Sequence, residues 1–296
     1  MILVTGCTGF IGSHTVHALV EQGFEVRCLA RGTRDIDRLP KKRMTFAVGD
    51  VTDPDTLLEA SEGIEAIIHL VGIIREKGEA TFERIHVDGT RNVIEAAKAQ
   101  GVRRLIYQSA LGAREDGISR YETTKWQAEE LVRGSGLQWI ITRPSVIVGK
   151  WGEFAGILKD LVCKTPLVPV IGSGGYKLQP MYVGDLTEAF VRMLRDDSLW
   201  GKTYEFGGPE QLTFNRMLEI TKEVFGVRKP LIHLPLSLMK PVIRTMQSIT
   251  HRFPITSDQL AMLAEDNVTD HNALTDVFGI EPTPFCEAMM RAFGME

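Results

Sequence analysis

The feature that most constrains the fold of this chain is a glycine-rich loop near its start. An apolar run, Ile2–Thr5, leads into a helical pattern through the sequence Thr5-Gly6-Cys7-Thr8-Gly9-Phe10-Ile11-Gly12. Gly6 allows a tight exit from a strand, Gly9 lets a ligand approach the backbone, and Gly12 lets the helix pack closely. Backbone N–H groups at the positive end of such a helix attract phosphate. The loop therefore predicts a dinucleotide site, with an ordinary tight turn as the alternative.

Short runs rich in Val and Ile alternate with helical patterns over the first half of the chain. The predicted strands are Ile2–Thr5, Glu25–Ala30, Met44–Val48, Ala66–Val71, Arg104–Gln108 and Gln138–Thr142. The predicted helices are Ile11–Gln22, Asp53–Ala60, Ala80–Gln100 and Tyr121–Arg133. This alternation predicts right-handed βαβ units and an α/β fold with a doubly wound parallel sheet of the Rossmann type.

The rhythm changes after Gly149, where glycine and proline become denser. The elements predicted beyond it are Phe154–Cys163, Met181–Val183, Asp185–Arg195, Thr203–Phe206 and Thr213–Phe225. We therefore expect a dinucleotide-binding domain at residues 1–149. Residues 150–296 are expected to form a smaller α/β lobe for substrate or partner, interleaved with the sheet.

Composition narrows the class of protein. The 296 residues carry 34 basic and 38 acidic side chains, a net charge of −4, and 44% are hydrophobic. These values indicate a folded globular protein and argue against nucleic acid as the main partner. No apolar run approaches the roughly 18–20 residues that span a bilayer, and the chain opens directly on a predicted strand. The four cysteines lack metal-binding spacing, which predicts no metal site and a reducing, cytoplasmic compartment.

The end of the second strand bears on which dinucleotide binds. Arg31 stands where a carboxylate would accept a hydrogen bond from a ribose 2′-OH. A guanidinium suits a 2′-phosphate, so the sequence favours NADP(H), with NAD(H) and a merely solvent-exposed arginine as alternatives. The remaining predicted cofactor contacts lie in the loop and helix start or close the third and fourth strands: Gly6, Thr8, Gly9, Phe10, Ile11, Gly12, Asp50, Val51, Leu70, Val71 and Gly72.

A phenol and an ammonium lie four residues apart on one predicted helical face, at Tyr121 and Lys125. A nearby ammonium favours the phenolate, so we expect Lys125 to lower the pKa of Tyr121 towards a range useful for proton transfer. Ser109 ends the fifth strand and could hydrogen-bond a substrate carbonyl. Such a pair also arises by chance in helices, but the preceding strand and the glycine loop favour a catalytic interpretation.

These motifs together resemble the extended short-chain dehydrogenase/reductase superfamily. The resemblance is carried by the glycine loop, by the run Val87–Val93, and by Ser109, Tyr121 and Lys125. Arg143–Gly149 is similar to a motif after the sixth strand, whose proline (here Pro144) would lie near the nicotinamide, and Tyr182–Leu186 to a motif of the smaller lobe. The resemblance implies that Tyr121 is the acid/base and that Lys125 also holds the cofactor ribose.

Within that superfamily the chain looks most like the atypical branch with the nucleotide-binding accessory subunit of respiratory complex I. Some members of this branch hold NADPH without turnover. Two departures from the wider pattern matter. His86 replaces an Asn that helps to hold a proton-relay water, so it either substitutes for that Asn or packs. Only 12 positions separate Ser109 from Tyr121, which argues against a large sugar-nucleotide substrate.

The segment 224–257 contains no acidic residue but carries apolar side chains and five basic ones: Arg228, Lys229, Lys240, Arg244 and Arg252. It could contact a membrane surface or a protein complex, or pack on its own lobe with the basic residues solvated.

Three functions follow from these observations. The first is an NADP(H)-dependent reductase or dehydrogenase for a small carbonyl or quinone-like substrate. The second is a non-catalytic NADP(H)-binding assembly or scaffold protein that docks on a membrane complex. The third, and least favoured, is a sugar-nucleotide epimerase or dehydratase.

Overall fold

The computed structural model describes residues 1–32, 36–235 and 265–295. The chain forms two compact units: unit 1 comprises Met1–Pro144 and Leu186–Glu205, and unit 2 comprises Ser145–Asp185 and Phe206–Glu296. The sequence places a single boundary after residue 149. The chain instead returns to unit 1 for Leu186–Glu205, because this stretch supplies most of an edge strand of its sheet.

The secondary structure follows the predicted alternation. The strands are β1 (Ile2–Thr5), β2 (Val26–Ala30), β3 (Met44–Val48), β4 (Ala66–His69), β5 (Arg104–Gln108), β6 (Gln138–Pro144), β7 (Ile147–Val148), β8 (Val168–Ile171), β9 (Lys177–Leu178), β10 (Met181–Tyr182), β11 (Lys202–Phe206), β12 (Leu212–Thr213) and β13 (Leu231–Leu234). The α-helices are α1 (Phe10–Glu21), α2 (Pro54–Ala60), α3 (Gly89–Ala99), α4 (Arg120–Arg133), α5 (Glu153–Lys164), α6 (Val183–Arg195), α7 (Phe214–Val224), α8 (Ala273–Asp276) and α9 (Phe285–Phe293).

The main sheet has the strand order β11-β6-β5-β4-β1-β2-β3. The strands from β6 to β3 pair with their neighbours in parallel. The order reverses between β1 and β4, and such a reversal opens a crevice at the carboxyl ends of the strands. The predicted doubly wound α/β fold is therefore confirmed.

One predicted helix differs from the structure. The sequence pattern indicates a continuous helix over Ala80–Gln100, whereas the chain forms a π-helical turn, Glu83–Asp88, that leads into α3. A π-helical turn inserts an extra residue, which shifts the side chains of the turn relative to an α-helix. Periodicity alone cannot show this shift.

The core of unit 1 lies between the sheet and the helices α2, α3 and α4. Its buried apolar cluster includes Leu3, Leu57, Val93, Leu105 and Val132. Each such side chain contributes about 1.5–3 kcal/mol of transfer free energy when fully buried. Strand β4 is buried along its whole length, as its nearly continuous apolar run predicts.

A buried carboxylate connects α4 to β6. Glu129 is fully buried, and its two oxygens accept from Arg143 Nε at 2.9 Å and Nη2 at 2.7 Å. Arg133 Nη2 donates to the same carboxylate at 2.6 Å. Two guanidinium groups thus compensate the cost of removing this charge from water.

We expect Glu129→Gln to destabilise the protein by about 3–5 kcal/mol, because it leaves buried guanidinium groups without their counter-charge. Urea-induced unfolding at neutral pH measures the change. Glu130→Gln is the control, since Glu130 pairs with Arg133 at the surface, and it should cost less than about 1 kcal/mol. Equal losses in the two variants would show that the buried network does not stabilise the fold.

Unit 2 contains three short strand pairs. β7 pairs with β10 and β8 with β13 in parallel, and β9 pairs with β12 antiparallel. The core of unit 2 joins apolar residues of α5, α7 and α9, including Leu158, Met217 and Phe285. Asp185, in the motif Tyr182–Leu186, accepts from the Thr283 N–H at 2.8 Å and its hydroxyl at 2.9 Å. This motif residue therefore fixes the segment before α9.

Only part of the basic segment 224–257 can be placed. Lys240, Arg244 and Arg252 lie outside the described residues. The Lys229 ammonium donates to the carbonyls of Val162, Cys163 and Thr165 at 3.0, 2.9 and 2.7 Å and so caps the end of α5. None of the helices in the described ranges is long and apolar enough to cross a membrane.

Candidate active site

The glycine loop is closed by backbone contacts that exclude side chains. Gly6 has a φ of +74°, and a Cβ there would lie 3.2 Å from the Leu70 carbonyl carbon and the Val71 nitrogen. Both the positive φ and this contact with the end of β4 favour glycine.

Gly12 is under a stronger constraint. A Cβ at Gly12 would lie 2.1 Å from the Gly6 carbonyl oxygen and 2.8 Å from the Cys7 Cα. The Gly9 N–H donates to the same Gly6 oxygen at 3.0 Å. The loop and the first turn of α1 are therefore in direct backbone contact.

The start of α1 is available to an anion. Gly9 is the N-cap and provides no side-chain hydrogen bond, and the first turn has no acidic residue. The first N–H groups of a helix have no partner within it, so those of Phe10, Ile11 and Gly12 point towards any ligand of the loop. Thr8 lies in the loop before this turn and is partly exposed. These residues can hold the phosphates of a dinucleotide.

The ends of β2 and β3 bring Arg31 near Asp50. The Arg31 side chain is 81% exposed, and its Nε lies 3.9 Å from Asp50 Oδ2. Asp50 Oδ1 accepts from the Thr52 N–H at 2.9 Å. The guanidinium can therefore turn towards a ligand without breaking a close hydrogen bond to Asp50.

Val51 lies in the core, with 3% of its surface exposed. The Asn92 side chain donates to the Val51 carbonyl at 2.9 Å, and a Cβ at Gly89 would lie 3.0 Å from the Val51 side chain. Two residues of the motif Val87–Val93 thus hold the end of β3 in place. Only the backbone of Val51 is left to face a ligand.

The loop after β4 lies against α4. A Cβ on Gly72 would be 3.2 Å from Lys125 Nζ and 3.6 Å from His86 Nε2. Leu70 and Val71 are partly buried, and the Leu70 N–H donates to the Thr5 carbonyl at 3.3 Å. The predicted contacts of the fourth strand and the predicted lysine therefore share one site.

Lys125 is buried but still charged at neutral pH. Its Nζ donates to the Gln108 carbonyl at 2.9 Å and lies 5.1 Å from the centre of the Tyr107 ring. Burial lowers the pKa of Lys125 to about 8, although the Glu129 carboxylate acts in the opposite direction. The ammonium is held ready to donate to a hydroxyl or an anion.

The expectation that Lys125 lowers the pKa of Tyr121 is wrong for the structure without cofactor. Burial, assisted by the Glu122 carboxylate, raises the pKa of Tyr121 to about 12. The Tyr121 ring packs edge-on against His86 and Phe82, with centroid distances of 5.6 and 6.0 Å. Because Lys125 donates to Gln108, the cost of burying a phenolate dominates. Tyr121 therefore carries its proton at neutral pH.

Ser109 presents an unused polar atom. Its N–H donates to the Thr142 carbonyl at 2.8 Å, but its buried Oγ has no hydrogen-bond partner among the described residues. The Leu111 N–H donates to the Pro144 carbonyl at 2.9 Å, which joins the ends of β5 and β6. Ser109 and Tyr121 share no hydrogen bond within the described part of the chain. A buried hydroxyl without a partner fits a site that is completed by a ligand.

Sequence reasoning missed His69, the last residue of β4. It is fully buried, and its ring nitrogens lie 2.7 Å from Thr5 Oγ1 and 3.2 Å from Thr90 Oγ1. Burial, assisted by the Lys125 ammonium, lowers the pKa of His69 to about 3. This neutral imidazole ties the residue before the glycine loop to α3. A polar residue within an apolar strand is the signal that could have identified it.

Acid should destabilise the protein through His69. The folded pKa of about 3 lies below the unfolded value of about 6.5, so the unfolded state binds more protons between these pH values. The free energy of unfolding should therefore fall, by on the order of 1–3 kcal/mol, as the pH drops through this window. Urea unfolding at a series of pH values should show a shallower loss for His69→Gln than for wild type. The exposed His271→Gln is the control and should follow wild type; identical curves for His69→Gln and wild type would contradict this assignment.

Comparison with known proteins gives a family match and full-length relatives. The profile described as the NAD dependent epimerase/dehydratase family matches residues 2–207. The chain is 30% identical over 289 residues to the mitochondrial NADH dehydrogenase (ubiquinone) 1 alpha subcomplex subunit 9 of Arabidopsis thaliana, covering 92% of this chain and 71% of the relative. It is 30% identical over 241 residues to the ceramide reductase of Caulobacter vibrioides, covering 79% and 74%. Among solved structures, gox2253 superposes with a TM-score of 0.79 at 28% identity, covering 99% of this chain and 97% of that one.

Proposed function

The chain belongs to the NAD dependent epimerase/dehydratase family, and we propose that it is an NADP(H)-dependent oxidoreductase that reduces a small carbonyl or quinone-like substrate. The observation that carries the proposal is the glycine cradle, in which a Cβ at Gly12 would lie 2.1 Å from the Gly6 oxygen. Such backbone packing leaves helix N–H groups free for a diphosphate. The unpartnered Oγ of Ser109 supports a second group at the other side of the same crevice.

The cofactor groups are assigned as follows. Backbone N–H groups of α1 bind the diphosphate, and Arg31 and Asp50 face the adenosine half at the ends of β2 and β3. Gly72 and Lys125 face the nicotinamide half, with the ammonium donating to ribose hydroxyls, and Pro144 closes this side at the end of β6. Bound there, the reduced cofactor supplies a hydride.

The proton comes from Tyr121. Its pKa of about 12 keeps the phenol protonated at neutral pH, so it can donate to a carbonyl oxygen that gains negative charge. Lys125, once its ammonium faces the phenol, stabilises the phenolate that remains. Ser109 Oγ donates a hydrogen bond to the same carbonyl oxygen and orients it. The protonated resting state favours the direction of reduction.

A second candidate is a non-catalytic NADP(H)-binding subunit of a larger complex. It is favoured by the similarity over 92% of this chain to a protein named as a subunit of NADH dehydrogenase. In this case Tyr121 and Lys125 would bind cofactor without turnover.

Tyr121→Phe separates the two candidates. We expect it to lower the rate of NADPH oxidation by at least about 100-fold, since a proton-donating side chain contributes roughly 100–10,000-fold. Absorbance of NADPH with a panel of quinones, ketones and aldehydes measures turnover, and NADPH fluorescence measures binding. Binding should stay within about twofold of wild type. A wild-type protein that binds NADPH but oxidises it with no member of the panel would support the subunit instead.

Arg31→Ala tests the choice of cofactor. Loss of a charge-assisted contact to the 2′-phosphate should weaken NADPH binding about 10-fold or more and leave NADH binding within about twofold. Calorimetric titration measures both. Lys42→Ala removes the same charge from the opposite end of β3 and should change neither affinity. Equal weakening of NADPH and NADH by Arg31→Ala would refute the 2′-phosphate assignment.

A further inference from the structure

His86 is a buried titratable residue that the proposed mechanism does not use. It has no exposed surface and lies in the π-helical turn Glu83–Asp88. Such turns are rare and are frequent at functional sites, because they aim a side chain out of helical register. The hydrogen bonds of the imidazole show what its placement achieves.

The Nδ1 side of the ring contacts α4. His86 Nδ1 lies 3.0 Å from Thr124 Oγ1, and this hydroxyl donates its single proton to the Arg120 carbonyl at 2.7 Å. The Thr124 oxygen must therefore accept from His86, which places a proton on Nδ1.

The Nε2 side of the ring contacts the loop after β4. Both the N and the O of Ile73 lie 3.1 Å from His86 Nε2. In a neutral ring with its proton on Nδ1, Nε2 keeps a lone pair and accepts from the Ile73 N–H. Burial and the Lys125 ammonium lower the pKa of His86 to about 2, in agreement with a neutral ring.

The same imidazole lies beside both predicted reaction residues. Its ring meets that of Tyr121 edge-on at 5.6 Å, and its Nε2 and Lys125 Nζ both contact the position of a Gly72 Cβ, at 3.6 and 3.2 Å. One neutral side chain thus bridges the backbone at Ile73 and the helix that carries Tyr121 and Lys125.

We propose that His86 is a positioning residue, which holds Gly72 and Ile73 at a fixed distance from α4 and so shapes the place of the nicotinamide half of the cofactor. The inference rests on the function proposed above. The adenosine half is assigned to the ends of β2 and β3, on the other side of β1, where His86 makes no contact. His86 should therefore act on one half of the cofactor only.

The test compares two ligands, NADPH and 2′,5′-ADP, the second of which lacks the nicotinamide half. His86→Leu removes both hydrogen bonds, and we expect it to weaken NADPH binding about 10-fold while 2′,5′-ADP binding stays within about twofold. NADPH fluorescence gives the first affinity and displacement or calorimetry the second. His86→Gln can still donate to Thr124 and accept from Ile73, so it should restore NADPH binding to within about threefold of wild type.

Two further variants separate positioning from general packing. Phe82→Leu removes a ring that packs on the same imidazole, at 5.4 Å, and should leave the ratio of the two affinities as in wild type. Thr124→Val removes the acceptor of Nδ1 with little change in volume. It should weaken NADPH selectively even if His86→Leu does not fold, as circular dichroism would reveal.

Each outcome decides between the alternatives. Selective loss of NADPH affinity in His86→Leu or Thr124→Val supports positioning. Equal weakening of both ligands, or no change in either, overturns it while the proposed function stands. A wild-type protein that binds neither ligand refutes the proposed function itself, and the role of His86 with it.

Discussion

The contact between the Gly6 carbonyl and the backbone of Gly12 is the constraint on which the rest of the site depends. A side chain at Gly12 would lie 2.1 Å from that oxygen, so the first turn of α1 can reach the loop only without a Cβ. This contact places the positive end of the helix at the carboxyl end of β1, where the strand order reverses. An anion bound there meets backbone dipoles that are already oriented and need no rearrangement.

The second constraint is electrostatic. The buried end of the sheet next to α4 holds Lys125 together with the imidazoles of His69 and His86, and burial keeps both imidazoles neutral. A single ammonium is therefore the positive charge of this cluster, and its desolvation lowers its own pKa to about 8. A ligand that offers hydroxyl or anionic oxygens to Lys125 offsets this desolvation cost.

The sequence predicts the fold well because its signals are local. The glycine loop, the strand β4 and the helix α4 each follow from short patterns, and the family resemblance that these motifs carry is confirmed. The hydrogen bonds of His69 join residues that are 64 and 21 positions away, which no local pattern encodes. The pKa of Tyr121 depends on how the rings of Phe82 and His86 cover it, so its direction required the packed structure.

Calorimetric titration with NADPH tests the central claim most directly, on wild type, Gly12→Ala and the control Gly156→Ala. Gly156 lies in α5 with no atom near its Cβ position, so an alanine there should bind NADPH as wild type does. We expect saturable binding to wild type and a loss of at least about 100-fold in Gly12→Ala, because the added methyl group separates the helix from the loop. A folded Gly12→Ala protein with wild-type affinity, or a wild-type protein without affinity for NADPH or NADH, would contradict the account.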